Sequence, residues 1–162
     1  MGETDKRMLN IRGETRDNVL MIVIGITFLL NIIVMNIFPP NIEELVVVGY
    51  ILLGVGALFV AISIFTLRKK GISNIVDTGI YGLIRHPMYF GGIVMFFSHF
   101  FLGQNWLIAI STIAGISCCY LVILSGDKRN IEKFGDEYRG YMKSVPRINL
   151  LLGVIRRQRG RK

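Results

Sequence analysis

The segment TGIYGLIRHPMYFGG, residues 78–92, lies in the middle of a very apolar chain. Pro87 lacks an N–H group and has a fixed φ, so it favours the first turn of a helix. The residue before a proline avoids the helical region, which leaves His86 extended. We therefore predict a helix from Pro87 to about Leu102, with Arg85 and His86 beside its first turn. Free N–H groups and the helix dipole make such an end attractive to anions.

Two interpretations of this segment are open. In one, Arg85 anchors a membrane helix at the lipid headgroups and His86 simply fills a turn. In the other, both residues belong to a site, with Gly91 and Gly92 permitting close approach of backbone or ligand.

Long uncharged runs predict the fold class. Of the 162 residues, 52% are hydrophobic, and they cluster in four runs, at 19–38, 45–67, 88–102 and 106–124. A perpendicular span needs about 20 residues, so the third run is short, and the third and fourth runs either span or form a tilted hairpin. We predict an all-α integral membrane protein with about four transmembrane helices.

The distribution of charge predicts topology and partners. The formal net charge is +8, and the basic residues lie in the polar head (residues 1–18), after the second run and throughout the C-terminal part. The positive-inside rule then places both termini and the central loop of this multi-pass protein in the cytoplasm. The basic tail, residues 148–162, is expected to bind anionic lipid headgroups, and no nucleic-acid partner is expected.

Residues 127–143 have a different character from the apolar runs. They are charged, but Ile131, Phe134, Tyr138 and Tyr141 recur at helical spacing on one face. This pattern predicts an amphipathic helix that lies on the membrane or caps the bundle. It would complete a membrane domain over residues 19–147.

Several polar residues interrupt the apolar runs. Asn31 and Asn36 are expected to hydrogen-bond to neighbouring helices, and His99 is expected to make a packing or polar contact. Cys118 and Cys119 are adjacent, which disfavours a mutual bridge, and they match no metal-ligand spacing. We predict no metal site.

The chemistry-bearing residues form two groups. Arg85 and His86 provide cationic groups on one wall, and acids and aromatic residues from 127–147 would form the other wall. This combination suits a zwitterionic ligand, with its carboxylate on Arg85 and its ammonium on an acid.

Three pieces of sequence carry a family resemblance: GIY at residues 79–81, RHPMYFG at 85–91 and FGDEYRGYMKSVPR at 134–147. Their order and spacing resemble the isoprenylcysteine carboxyl methyltransferase family, and related phospholipid N-methyltransferases share the pattern. The resemblance covers about residues 45–150. It implies a membrane enzyme that uses S-adenosylmethionine, with a cofactor pocket open to the cytosol and a lipophilic acceptor entering from the bilayer.

The resemblance also implies roles for individual residues. His86, Tyr89 and Tyr138 would line the cofactor pocket, and Arg85 would lie where cofactor and acceptor meet. Arg85 and His86 are the candidate catalytic residues. The candidate cofactor-binding residues are Tyr81, His86, Tyr89, Asp127, Glu132, Tyr138 and Tyr141.

Two departures from the family pattern stand out. Gly126 and Asp127 occupy positions where the family usually has a pair of glutamates, and Glu132 is a candidate to compensate. Gly82 stands where the family often has an arginine, which leaves fewer cations for an anionic acceptor.

The expected reaction is methyl transfer, which chiefly needs donor and acceptor held in line at close range. With a carboxylate acceptor, Arg85 would orient the acceptor and no general base would be needed in an apolar site. The alternative is a phospholipid amine acceptor, which must be neutral and which His86 or a tyrosine could assist. A sterol-reductase-like NADPH enzyme and a non-catalytic membrane protein on the same scaffold are further alternatives.

Overall fold

The structure is a computed structural model that describes the backbone of residues 3–71 and 73–159, and the side chains of residues 13–71 and 73–158. Within these ranges the chain is all-α, as predicted, and contains no strand. The elements are α1 (Glu3–Ile37), α2 (Glu43–Lys70), a 3-10 helix (Gly79–Gly82), α3 (Pro87–Gly103), α4 (Trp106–Phe134), α5 (Asp136–Ser144) and α6 (Leu150–Arg159).

Three helices are long and apolar enough to cross a bilayer: Gly13–Ile37 of α1, α2 and α4. Helix α3 is apolar but has only 17 residues, about 26 Å of helix against a hydrocarbon core of about 30 Å. It packs between α2 and α4, and α1 packs against α4 and α3. Large apolar side chains of α1 and α2 are exposed on the outside of the bundle. The prediction of an all-α integral membrane fold is confirmed.

Helix α3 lies unusually close to α2 because both carry glycine at the crossing. A Cβ atom built on Gly56 would lie 2.7 Å from the carbonyl oxygen of Gly91, and one built on Gly91 would lie 2.6 Å from that of Gly56. Neither position tolerates a side chain without a backbone shift. Gly92, by contrast, borders open space. The crossing fixes the start of α3, and therefore the position of the residues that precede it.

A buried polar cluster joins helices α1, α3 and α4. Asn31 Nδ2 donates to His99 Nδ1 at 2.9 Å and to Thr112 Oγ1 at 3.3 Å. These bonds link α1, α3 and α4, as predicted for Asn31 and His99. The prediction for Asn36 is wrong, because this exposed residue donates to the Ile32 carbonyl of its own helix at 2.7 Å.

The prediction of a single amphipathic helix over residues 127–143 is wrong, because Gly135 divides this segment between two helices. Helix α4 continues without a break from the fourth apolar run to Phe134, and Gly135 then adopts φ 58° and ψ −129°. A positive φ of this kind favours glycine and ends the helix. Asp127 is therefore fixed on the long helix α4, and Tyr138 on the separate helix α5.

Polar segments at both ends of the chain are also helical. Helix α1 begins at Glu3, so the described part of the polar head continues the first helix. Helix α6 covers the basic tail from Leu150 to Arg159. Residues 160–162 lie outside the described part.

Candidate active site

The backbone around Arg85 and His86 is held by the C-terminal part of the chain. The Arg85 N–H donates to the carbonyl of Pro146 at 2.9 Å, and the His86 N–H to that of Arg147 at 3.2 Å. His86 has φ −123° and Pro87 starts α3, as the sequence predicts. Two of the segments that carry the family resemblance, residues 85–91 and 134–147, therefore lie side by side.

Four donors converge on the carboxylate of Asp127. Oδ1 accepts from His86 Nε2 and from the Tyr138 hydroxyl, each at 2.8 Å. Oδ2 accepts from Arg147 Nε at 2.7 Å and from Arg85 Nη2 at 3.3 Å. Because an ionised carboxylate only accepts, His86 must carry its proton on Nε2. We call these five residues the Asp127 cluster.

Burial explains why Asp127 needs so many partners. Asp127 is 4% exposed, His86 7% and Arg85 8%. A carboxylate removed from water is stable only when it is both paired and hydrogen-bonded. Charge-assisted bonds from two guanidinium groups and an imidazole meet that requirement. The cluster thus fixes the orientation of both candidate catalytic residues.

Arg85 retains an unused donor that is buried. Its Nε atom is buried and has no hydrogen-bond partner among the residues that the structure describes. An unsatisfied buried donor costs about 1–3 kcal/mol, so this N–H favours binding of an acceptor atom from a ligand.

A cavity of about 260 Å³ lies beside Arg85. It is close to the lower end of the ~300–1,000 Å³ range of small-molecule sites. It is lined by Leu67, Asn74, Ile75, Val76, Tyr81, Arg85, Asn130, Lys133, Phe134, Tyr138 and Tyr141. The cavity therefore brings together four of the predicted site residues, Arg85 and the three tyrosines.

The tyrosines at this cavity are neutral hydrogen-bond donors. Burial raises the pKa of Tyr81 to about 12 and that of Tyr138 to about 12. Burial also raises the pKa of Tyr141, whose hydroxyl donates to the carbonyl of Tyr81 at 2.6 Å. None of the three can therefore act as a tyrosinate base near neutral pH.

The comparisons with known proteins agree with this geometry. Residues 45–133, more than half of the chain, match the family model described as phospholipid methyltransferase. The chain belongs to the phospholipid methyltransferase family. This confirms the family resemblance in the sequence and indicates a membrane methyltransferase. No curated protein and no solved structure matches the chain.

The family match includes Arg85, His86 and Asp127, whereas Tyr138 and Arg147 lie beyond it. In this member of the phospholipid methyltransferase family, Tyr138 and Arg147 lie outside the matched range and complete the Asp127 cluster. The residues described contain no group of His, Cys, Asp and Glu side chains suited to a metal ion.

Four predicted cofactor-binding residues do not line the cavity: His86 and Asp127 lie in the Asp127 cluster, whereas Tyr89 and Glu132 belong to neither. Glu132 is exposed on α4 and does not line the cavity. Tyr89 is half-buried one turn into α3, with its ring centroid 6.2 Å from that of His86, and it also does not line the cavity. The structure therefore does not bring Glu132 to the position of the missing family glutamate.

The two glycine departures have different structural settings. A Cβ atom on Gly126 would lie 3.5 Å from His86 Cε1, an ordinary contact, so the site has room for a side chain there. A Cβ atom on Gly82 would lie 2.7 Å from the carbonyl oxygen of Asp77, which this backbone does not permit. Gly82 is therefore required by the local backbone, whereas Gly126 leaves free space beside His86.

The sequence placed Glu137 and Arg147 on the second wall and in the family motif without giving either a binding role, and it did not indicate Asn74, Asp77 or Asn130. Arg147 belongs to the Asp127 cluster and also donates to the Tyr120 hydroxyl at 3.2 Å. Its place in the VPR triplet at residues 145–147 was the available signal. Asp77 and Glu137 line a second cavity, of about 310 Å³, which shares Ile75 and Tyr141 with the first. No sequence motif marks that pairing.

Proposed function

We propose that the protein transfers a methyl group from S-adenosylmethionine to a lipid-like acceptor, at the cytoplasmic face of the membrane. The observation that carries the proposal is the buried Asp127 cluster, of which Arg85 and Tyr138 line a cavity and Arg85 Nε has no partner among the described residues. Membership of the phospholipid methyltransferase family supports the reaction class.

The residues at the cavity suit this methyl donor. An unused N–H of Arg85 would donate to the donor's carboxylate. The hydroxyl protons of Tyr138 and Tyr141 already go to Asp127 and to the Tyr81 carbonyl, so their oxygens would accept hydrogen bonds from the ligand. Leu67, Val76 and Phe134 provide apolar walls. The adjoining cavity, with Asp77 and Glu137, would receive the ammonium group. The donor supplies an activated methyl group on a sulfonium.

The tasks of the chain are alignment and exclusion of water. Methyl transfer accelerates when the reacting atoms are held in line, and dry surroundings strengthen the polar contacts that hold them. The Asp127 cluster supplies the first requirement, because it fixes Arg85 and His86 from α4 and α5 together.

A phospholipid amine is the acceptor that the geometry favours. Asp127 orients His86 through Nε2, the arrangement of a base held by a carboxylate, and this leaves Nδ1 to assist deprotonation of an amine. Carboxylate methylation is the second candidate, because Arg85 could orient an acceptor carboxylate.

The orientation in the membrane is part of the proposal. Arg68, Lys69 and Lys70 lie in the last turn of α2. The positive-inside rule assigns such a basic end to the cytoplasm, together with the site and both termini.

Calorimetry in detergent tests donor binding. We expect S-adenosylhomocysteine to bind the wild type, NADPH not to bind, and Arg85→Gln to weaken binding of S-adenosylhomocysteine. Glu132→Gln is the matched control, since this exposed residue does not line the cavity. Unchanged affinity in Arg85→Gln would contradict the proposed site.

A labelled-methyl assay tests the acceptor. Membranes with phosphatidylethanolamine, and the same membranes with added farnesylcysteine, should show label in the phospholipid. Label in the farnesylcysteine alone would establish the carboxylate reaction instead.

A further inference from the structure

Helix α6 lies directly on the backbone that leads to Arg85. Its first turn is capped by Asn149, whose Oδ1 accepts from the Leu152 N–H at 3.0 Å. Gly153 is buried against Leu83, and a Cβ atom there would lie 2.9 Å from the Leu83 carbonyl carbon. Only glycine therefore permits this contact between α6 and the segment that precedes Arg85.

The C-terminal helices hold this segment at alternate residues. The carbonyl of Gly79 accepts from Arg157 Nη1 at 3.3 Å, and that of Tyr81 accepts from the Tyr141 hydroxyl at 2.6 Å. Leu83 is covered by Gly153. We call residues 79–86 the site strap. Its position depends on α5 and α6, because they supply these contacts.

The outer face of α6 is apolar and exposed. Leu151 is 78% exposed, Val154 38% and Ile155 46%. Their spacing of three and four residues places them on one stripe of the helix. Exposed Arg156 and Arg157 follow this stripe, and each has only one nitrogen bonded to a protein carbonyl in the structure. An exposed apolar stripe with arginines beside it is typical of a helix that lies in a membrane interface.

The position of α6 indicates which surface it meets. It contacts the site strap, which follows α2 at the end where Arg68, Lys69 and Lys70 terminate the apolar run. That end of a spanning helix lies at the headgroup level. Guanidinium groups at this level complement anionic phosphates, and the apolar stripe complements the acyl boundary.

We propose that α6 binds an anionic bilayer surface and thereby holds the site strap in its active position. Leu151, Val154 and Ile155 insert at the acyl boundary. Arg156 and Arg157 bridge lipid phosphates to the protein carbonyls of Lys143 and Gly79. Anionic lipid then stabilises the backbone of Arg85 and His86, whatever the methyl acceptor.

A tryptophan reporter tests the membrane contact. In the Trp106→Phe/Leu151→Trp variant the only tryptophan lies on the outer face of α6. The protein is placed in nanodiscs of brominated phosphatidylcholine, with or without phosphatidylglycerol. We expect stronger quenching with the anionic lipid. Replacing both Arg156 and Arg157 by glutamine should remove this difference. We expect each replacement to lower the apparent association of α6 with the anionic bilayer about fivefold. Lys128→Gln, at an exposed position on α4, is the control.

Hydrogen exchange tests the link to the site without any methyl donor. Amides of the site strap should exchange more slowly in anionic nanodiscs than in phosphatidylcholine alone. Gly153→Leu should abolish this protection while quenching of the residue-151 reporter persists. Gly54→Ala is its control, because nothing lies within 4 Å of a Cβ atom at that position. Equal quenching in both lipids would overturn the proposal, and so would amide exchange of the site strap at the same rate in both. Either result would do so even if S-adenosylhomocysteine binds.

Discussion

His86 Nε2 donates to Asp127 Oδ1 at 2.8 Å, joining the residue before α3 to a position 41 residues later on α4. Asp127 also binds Arg85, Tyr138 and Arg147. One carboxylate thus connects α3, α4, α5 and the segment that follows α5.

Asp127→Asn should lose both stability and donor binding. The change removes the negative charge that pairs with two arginines, and breaking a buried ion pair costs about 3–5 kcal/mol. Thermal unfolding in detergent and calorimetry with S-adenosylhomocysteine measure the two effects. Asp136→Asn is the control, because its ion pair with Arg139 is solvent-exposed and is worth about 0–1 kcal/mol. Equal melting of the two variants would contradict a central role for Asp127.

The Arg85→Lys variant should lose turnover and affinity for the methyl donor. Lysine keeps the charge but cannot bond to Asp127 and also present the Nε donor in the same plane. We expect turnover and donor affinity to fall about tenfold or more, the loss of one charge-assisted hydrogen bond. Arg139→Lys, at a surface position, should change neither. Near-normal turnover of Arg85→Lys would show that only charge matters at this position.

Alkaline pH should destabilise the protein through the buried tyrosines. The pKa values of Tyr81 and Tyr138 are raised to about 12 in the folded protein, whereas an unfolded tyrosine ionises at about 10. The folded state therefore favours the protonated form. Its stabilisation is complete below about pH 10 and is lost as the pH rises towards 12. Unfolding measured against pH should show this decline, and Tyr81→Phe should reduce its slope.

Asn31→Leu should loosen the packing of α1 on the rest of the bundle. It leaves His99 and Thr112 without their bonds to Asn31, and each unsatisfied buried group costs about 1–3 kcal/mol. Unfolding in detergent measures the loss. Asn36→Leu provides a matched control on the same helix, because Asn36 bonds only to its own helix in the structure. An equal loss of stability in both variants would refute the proposed role of the hydrogen bonds from Asn31 to His99 and Thr112.

Local patterns predicted the elements of the fold well, and the limits of those patterns explain the errors. The start of α3 follows from the properties of Pro87 alone. The divided helix was not predicted, because the apolar spacing of Phe134 and Tyr138 continues across Gly135 and only the backbone angle shows the break. Glu132 was a poor substitute for the missing acid. Six residues beyond Gly126, where the acid is missing, it lies about 120° away around the helix.

The amino-acid sequence by itself determined the membrane class, the start of α3, the family and the identities of Arg85, His86, Asp127 and Tyr138 as candidates. These depend on apolar run length, proline geometry and motif spacing, which are local properties. The tertiary structure decided that Asp127 binds four donors at once and that Arg85 lines a cavity while its buried Nε has no partner among the described residues. It also decided that Arg147 and α6 hold the site from outside the family match. Those facts depend on distances between residues far apart in the chain, which only the packed backbone specifies.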